Sequence, residues 1–169
     1  MRFLDITIET LSQHQNFASK QFEGLDWGGS QMLAQKINKQ NLLASEHILL
    51  LIDDNTSRPQ LIGHGALLQE DIVKGLNLSP FIAAIYVHPD YRGQGYSLKI
   101  TDHLMTIAHL EGYNRAYIVT KHKGLYEKLA FKQIDLVTNI KGETMRLLTR
   151  SIIHLEDDKS DNEVNSAKD

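Results

Sequence analysis

The sequence predicts a mixed α/β domain built around one twisted sheet. Three observations carry that expectation. Short apolar or alternating runs bounded by turn residues recur at 47–52, 61–68, 81–87 and 115–120. Segments with apolar residues at helical spacing interleave with them, at 10–22, 29–40 and 97–110. The chain of 169 residues is long enough for one domain with a real core, and no internal repeat divides it.

Taken in order, residues 3–8 alternate enough to form a first strand. The helices 10–22 and 29–40 follow, joined by Gly24-Leu25-Asp26-Trp27-Gly28-Gly29-Ser30, with Ser30 placed to cap the second. The apolar run His47-Ile48-Leu49-Leu50-Leu51-Ile52 reads as a buried strand. Residues 53–59 form a turn, and a polar loop separates the strands 61–68 and 81–87. In the helix 97–110, Leu98, Thr101, Leu104, Met105 and Ala108 share one face, and Gly112 ends it as a C-cap does. Residues 115–120 alternate as a strand and 124–129 form a short helix. A closing antiparallel pair, 131–137 and 143–148, is joined through Asn139-Ile140-Lys141-Gly142. From 156 to 169 the chain is acidic and polar, with Val164 and Ala167 its apolar residues. Such a composition cannot offset its ordering entropy, so a disordered tail is expected after a domain spanning 1–155.

Composition removes several classes of function. A formal charge of −3 gives no electrostatic case for nucleic acid. With no cysteine, a disulfide framework, a thiolate metal site and a cysteine acyl-enzyme are all impossible. No apolar run approaches the roughly 18–20 residues of a membrane span, so no membrane partner is expected. The start, Met1-Arg2-Phe3-Leu4-Asp5, lacks a signal-peptide pattern, and a cytoplasmic location is the default expectation. His88 sits in a turn, and His103, His109 and His122 have no ligand-like spacing, so no metal is expected.

The segment Ile85-Tyr86-Val87-His88-Pro89-Asp90-Tyr91-Arg92-Gly93-Gln94-Gly95-Tyr96-Ser97 joins an apolar strand, a proline turn, a glycine-bearing loop and a helix start. A helix start exposes unpaired N–H groups and the positive end of the helix dipole. Gly93 and Gly95 let a phosphate approach the backbone, and Arg92 adds charge. The loop therefore suits a pyrophosphate-bearing cofactor.

The spacing Arg92-x-x-Gly95-x-Ser97 resembles the acetyl-CoA loop of GNAT-type N-acetyltransferases, as does Tyr86-Val87-x-Pro89-x-Tyr91-Arg92-Gly93 before it. Downstream, Gly124-Leu125-Tyr126-Glu127-Lys128-Leu129-Ala130-Phe131 resembles the family's Leu-Tyr-Glu-Lys-Leu-Gly-Phe segment. Two motifs in the right order are far more specific than one. The resemblance is firm over 80–148 and thinner over 1–79. Ser97 stands where the family prefers Gly or Ala, and Ala130 where it prefers Gly.

The resemblance implies a mostly antiparallel sheet flanked by helices, whose fourth and fifth strands splay to admit the cofactor. It implies acetyl-CoA as cosubstrate and a primary amine, on a small molecule or a protein, as acceptor. Transfer would be by direct attack in a ternary complex, since no cysteine can carry the acyl group. A monomer or homodimer is expected. The rival reading is a non-catalytic acyl-CoA-binding or sensing module. The lack of a Gly-x-x-x-x-Gly-Lys-Ser/Thr stretch argues against a P-loop nucleotide binder.

By the same resemblance, the backbone of Ile85 and Val87 pairs with the pantetheine arm, and the loop Arg92, Gly93, Gln94, Gly95, Tyr96 and Ser97 holds the phosphates. Tyr126 stands at the family's general-acid position. A phenol, with a pKa near about 10, holds its proton at neutral pH and can give it to a departing thiolate. The base stays open among Glu70, Asp71, His64, Tyr86, Glu143 and a water relay. In the family the connection between the first two helices lies over the acceptor pocket. Trp27 is then either an aromatic wall or a loop anchor, and Glu70 is a second acceptor-side candidate. Glu23 and Asp26 would favour a cationic acceptor.

Overall fold

The computed structural model describes residues 1–152, so the expected domain end at 155 and the tail 156–169 lie outside the described residues. The elements run β1 (Arg2–Ile6), α1 (Leu11–Phe22), α2 (Gly28–Asn38), β2 (His47–Asp53), β3 (Gln60–Leu68) and β4 (Phe81–Val87). Then come a 3-10 turn at Pro89–Tyr91, α3 (Tyr96–Leu110), β5 (Arg115–Thr120), a second 3-10 turn at Tyr126–Leu129, β6 (Lys132–Thr138) and β7 (Thr144–Ser151). The strands form one sheet in the order β1-β2-β3-β4-β5-β7-β6. Every neighbouring pair is antiparallel except β4 and β5, which are parallel. The mixed α/β class and the mostly antiparallel sheet hold.

Helices cover both faces of the sheet, which explains the uninterrupted apolar run of β2. Leu49 and Leu51 pack with Ile100 and Leu104 of α3. Ile48, Leu50 and Ile52 pack with Phe22 of α1 and with Leu33 and Ile37 of α2. Side chains alternate across the strand, but both sides meet core. Each fully buried aliphatic side chain contributes about 1.5–3 kcal/mol.

Two glycines set how closely α3 approaches β3. A Cβ on Gly65 would lie 2.6 Å from Ile85 Cδ1 and 2.9 Å from both Ile100 Cγ2 and Leu104 Cδ1. A Cβ on Gly63 would lie 2.4 Å from the Tyr86 carbonyl oxygen. Their bare backbone seats α3 against the sheet and thereby fixes where its N-terminus stands beside the end of β4.

Strand β4 carries a bulge. Gly63 faces Val87 and His64 faces Tyr86, but Ala66 faces Ala83, so β4 holds one extra residue. Ala84, within the extra turn of backbone, has φ 53°. A left-handed conformation costs an L-residue about 1–2 kcal/mol, so neighbouring contacts must hold it there. Strands β4 and β5 share a single registered pair, Phe81 with Tyr117. Beyond it they diverge, as the resemblance implied.

Several sequence expectations shift. Strand β1 ends at Ile6 rather than 8, because Thr7 begins a turn in which its N–H donates to Thr10 Oγ1. Helix α2 starts at Gly28 with Trp27 as its N-cap, so Ser30 is inside the first turn and caps nothing. The short helix at 124–129 is a 3-10 turn over Tyr126–Leu129. Strand β7 runs on to Ser151, paired with Arg115. The buried face of α3 also takes in Ile100 and Ile107.

Candidate active site

The divergence of β4 and β5 opens a cavity of about 550 Å³. Its floor is Ile82, Ala83, Ala84 and Ile85 of β4 facing Ile118, Val119 and Thr120 of β5. Four consecutive β4 residues line it because the bulge breaks the strand's alternation. One end is closed by Trp27, Gly28, Gly29 and Met32 at the start of α2. The other walls are Asp71 and Ile72 from the β3–β4 loop, Tyr126, and the β6–β7 hairpin from Asn139 to Met145. The Ile140 N–H donates to the Ile72 carbonyl at 2.9 Å, fastening that hairpin to the β3–β4 loop.

The glycine-bearing loop stands at the end of β4, outside this lining. Gly93 and Gly95 have φ 78° and 80°, and a Cβ on either would meet nothing within 4 Å. Gly95 is the N-cap of α3 and no side chain caps the helix, so its first N–H groups face open space. This is the cradle a pyrophosphate needs. Arg92 is turned partly away from it. Its Nε donates to the Val87 carbonyl at 2.9 Å, and its guanidinium lies 5.9 Å from the centre of the Tyr86 ring. Gln94 is exposed, while Tyr96 packs edge-on against Tyr91. The Ser97 carbonyl accepts from Thr101 Oγ1.

Tyr126 and Asp71 meet in the cavity wall. Tyr126 is 5% exposed, and burial together with the Asp71 charge pushes its hydroxyl up to about 12. Burial raises Asp71 to about 6, although the Ile72 N–H bond opposes this. Glu143 also lines the cavity, but its bonds from Lys121 and Asn139 hold it below the ordinary carboxylate range. Glu70 is exposed and outside the lining, as are Glu23 and Asp26.

His64 is fully buried and lies against the bulge. Its Nδ1–H donates to the Ala84 carbonyl at 2.8 Å, so its Nε2 accepts the Ser30 hydroxyl at 2.7 Å. Desolvation drives it down to about 3, and the ring is neutral at any physiological pH. The ring stacks with Tyr86 at 5.1 Å and with Trp27 at 6.1 Å. These bonds hold Ala84 in its strained conformation. The Ser30–His64–Ala84 chain was not legible in the sequence, where Ser30 read as a cap and His64 as a candidate base.

Trp27 is both anchor and wall. Its ring stacks at 6.0 Å on Tyr86, covers Gly29 so closely that a Cβ there would lie 2.4 Å away, and is still 44% exposed toward the cavity mouth. The glycines beside Trp27 were the available signal. Of the other histidines, His122 joins the rim, His103 stacks on Phe3 at 4.1 Å, and His88 accepts the Asp90 N–H. Among the described residues no group of three or more His, Asp or Glu could hold a metal, and no helix is long and apolar enough to cross a membrane.

A family model for the acetyltransferase (GNAT) domain matches residues 44–133, more than half of the chain. Among solved structures, the aminoglycoside 6'-N-acetyltransferase from Enterococcus faecium superposes with a TM-score of 0.63 at 13% identity, covering 91% of this chain and 98% of that one. An acyl-CoA N-acyltransferase from Pseudomonas aeruginosa gives 0.60 at 14% identity, over 90% and 99%. The spermidine/spermine N-acetyltransferase from Vibrio cholerae gives 0.56 at 14%, over 89% and 93%. At such identities these likenesses show the fold. No curated protein matches the chain.

Proposed function

The chain belongs to the GNAT acetyltransferase family, and we propose that it is an acetyl-CoA-dependent enzyme that acetylates a primary amine by direct attack in a ternary complex. The observation that carries this reading is the continuity of three parts along one strand. An uncapped, glycine-lined helix start lies at the end of β4. A bulge interrupts the strand. A cavity holding Tyr126 and Asp71 opens beside the bulge.

The residues present fit the cofactor. The backbone N–H groups of Gly95, Tyr96 and Ser97 would hold its phosphates, and the exposed backbone of Ile85 and Val87 would hold its pantetheine arm. Arg92 serves less as a phosphate clamp than as a brace on Val87 and Tyr86. Bound acetyl-CoA supplies the activated acetyl group. His64 and Ser30 keep the bulge shaped so that the β4 backbone faces the reacting centre.

An amine with a pKa near about 10 arrives protonated and must lose that proton before it attacks. Of the five candidate bases, Asp71 fits this task best. It lines the cavity, and at about 6 it is ionised at neutral pH yet more basic than an exposed carboxylate. His64 is too weak a base and has both ring nitrogens engaged. Glu143 is committed to Lys121, and Glu70 stands outside.

Tyr126 faces the departing sulfur. Full proton transfer from a phenol at about 12 to a thiolate of ordinary pKa about 8.5 is uphill. Its hydroxyl therefore acts chiefly by donating a hydrogen bond to the thiolate as charge develops there. The test is calorimetric titration with acetyl-CoA, followed by thiol-release assays over a panel of amines. No binding of acetyl-CoA overturns the reading. Binding without turnover of any amine leaves a cofactor-sensing domain in its place.

A further inference from the structure

The acceptor end of the cavity carries a chemical preference of its own. Two of its apolar side chains are large and solvent-facing: Trp27 is 44% exposed and Ile140 is 64% exposed. They come from α2 and the β6–β7 hairpin, two elements far apart in the chain. Both are held in place. Trp27 is stacked on Tyr86 and His64 and sits over Gly29. Ile140 is tied by its N–H to Ile72, which with Met32 extends the apolar wall. Exposed apolar surface that is fixed rather than collapsed is surface prepared for a ligand.

Charge at the same end is balanced. The carboxylates are Asp71 and Glu143, and the ammonium groups are Lys121 and Lys141. Glu143 is already paired with Lys121 and bonded to Asn139. Among the described residues, Asp71 is the lining carboxylate with no ion pair. One carboxylate can serve one ammonium group. Further positive charges on an acceptor would meet Lys121 and Lys141 without a free anionic partner.

Resting on the acetyltransferase reading above, we propose that the acceptor is a primary monoamine bearing an aromatic or similarly bulky apolar group. Its ring lies between Trp27 and Ile140, its amine points to Asp71, and polycationic amines are selected against.

The chain contains a single tryptophan, so its intrinsic fluorescence reports this site directly. Phenethylamine, spermidine and kanamycin are titrated into the full chain, with and without saturating CoA, while Trp27 emission is followed. Thiol release with acetyl-CoA is measured on the same three amines. Phenethylamine is expected to perturb the emission saturably, and at least about tenfold below the concentration at which spermidine does, with kcat/KM in the same order. Gly29→Ala, which pushes the Trp27 ring aside, is expected to raise KM for phenethylamine about tenfold or more with acetyl-CoA affinity unchanged. Trp27→Ala is the second variant and should do the same in the activity assay. Tighter binding or faster turnover of spermidine or kanamycin overturns the inference, as does no fluorescence response to phenethylamine or a KM unmoved in both variants. These outcomes are distinct from failure of acetyl-CoA to bind, which removes the enzyme reading itself.

Discussion

Buried, neutral His64 makes the stability of this protein fall on acidification by an amount that can be worked out in advance. The ring is fully buried, and desolvation brings it down to about 3, against an ordinary value of 6.5. A group depressed in the folded state contributes stability above its unfolded pKa and loses it as pH falls through the window between the two values. Here that window runs from about 6.5 down to about 3. At about pH 5 the unfolded chain has bound a proton that the folded chain has not. The cost is about 1.5 pH units at about 1.4 kcal/mol each, or about 2 kcal/mol. It is insensitive to the folded value as long as that stays well below 5. His47 has the opposite sign. Burial pulls it down, but its bonds to Asp5 and Glu111 outweigh that and leave it raised. It stabilises most below 6.5 and loses its contribution as pH rises. The two are separated by a variant. His64→Asn keeps an amide donor for the Ala84 carbonyl and cannot titrate. Urea unfolding of both proteins at about pH 7.5 and about pH 5 gives four free energies, in which His47 and every carboxylate cancel. The wild type should lose about 2 kcal/mol more than the variant. Equal losses would refute the buried, neutral histidine and with it the account of how the bulge is held.

Other outcomes are equally open to measurement. Gly95→Val, strained at φ 80° with its side chain in the cradle, should weaken acetyl-CoA binding at least about tenfold by calorimetry. Gly112→Ala, at φ 88° beyond the far end of α3, is the equally strained control and should leave that affinity unchanged. Tyr126→Phe should slow single-turnover acetylation by about 10²-fold or more while acetyl-CoA affinity changes by less than about tenfold; a wild-type rate would make Tyr126 a packing residue. If Asp71 takes the amine proton, kcat should fall as pH drops through about 6, and Asp71→Asn should abolish that limb of the profile. Ala130 stands at φ 64°, exposed, so Ala130→Gly should raise stability by about 0.5–1 kcal/mol, read as a higher urea midpoint at unchanged slope.

What the sequence by itself determined is whatever resides in contiguous residues. The order of strands and helices follows from local periodicity, and six or seven neighbouring residues suffice to place β4 or β5. The cofactor loop is equally local, because Arg92 to Ser97 carry in one stretch the glycines and the helix start that a phosphate requires. The absence of cysteine excludes an acyl-enzyme on that residue without any structure. Only the tertiary structure decided the acceptor site. Trp27, Asp71, Tyr126, Ile140 and Glu143 come from five separate segments, and no spacing rule joins them. Burial, a property of the packed chain, decided among the carboxylates: Asp71 is raised, Glu143 is held down by Lys121, and Glu70 is left in solvent. The bulge at Ala84 had no local signature either, since alanine is not the residue that usually marks a left-handed turn. It exists because His64, one strand away and itself held by Ser30 of α2, reaches the Ala84 carbonyl. A strand's periodicity records which face is buried. It does not record which distant side chain waits there to bend it.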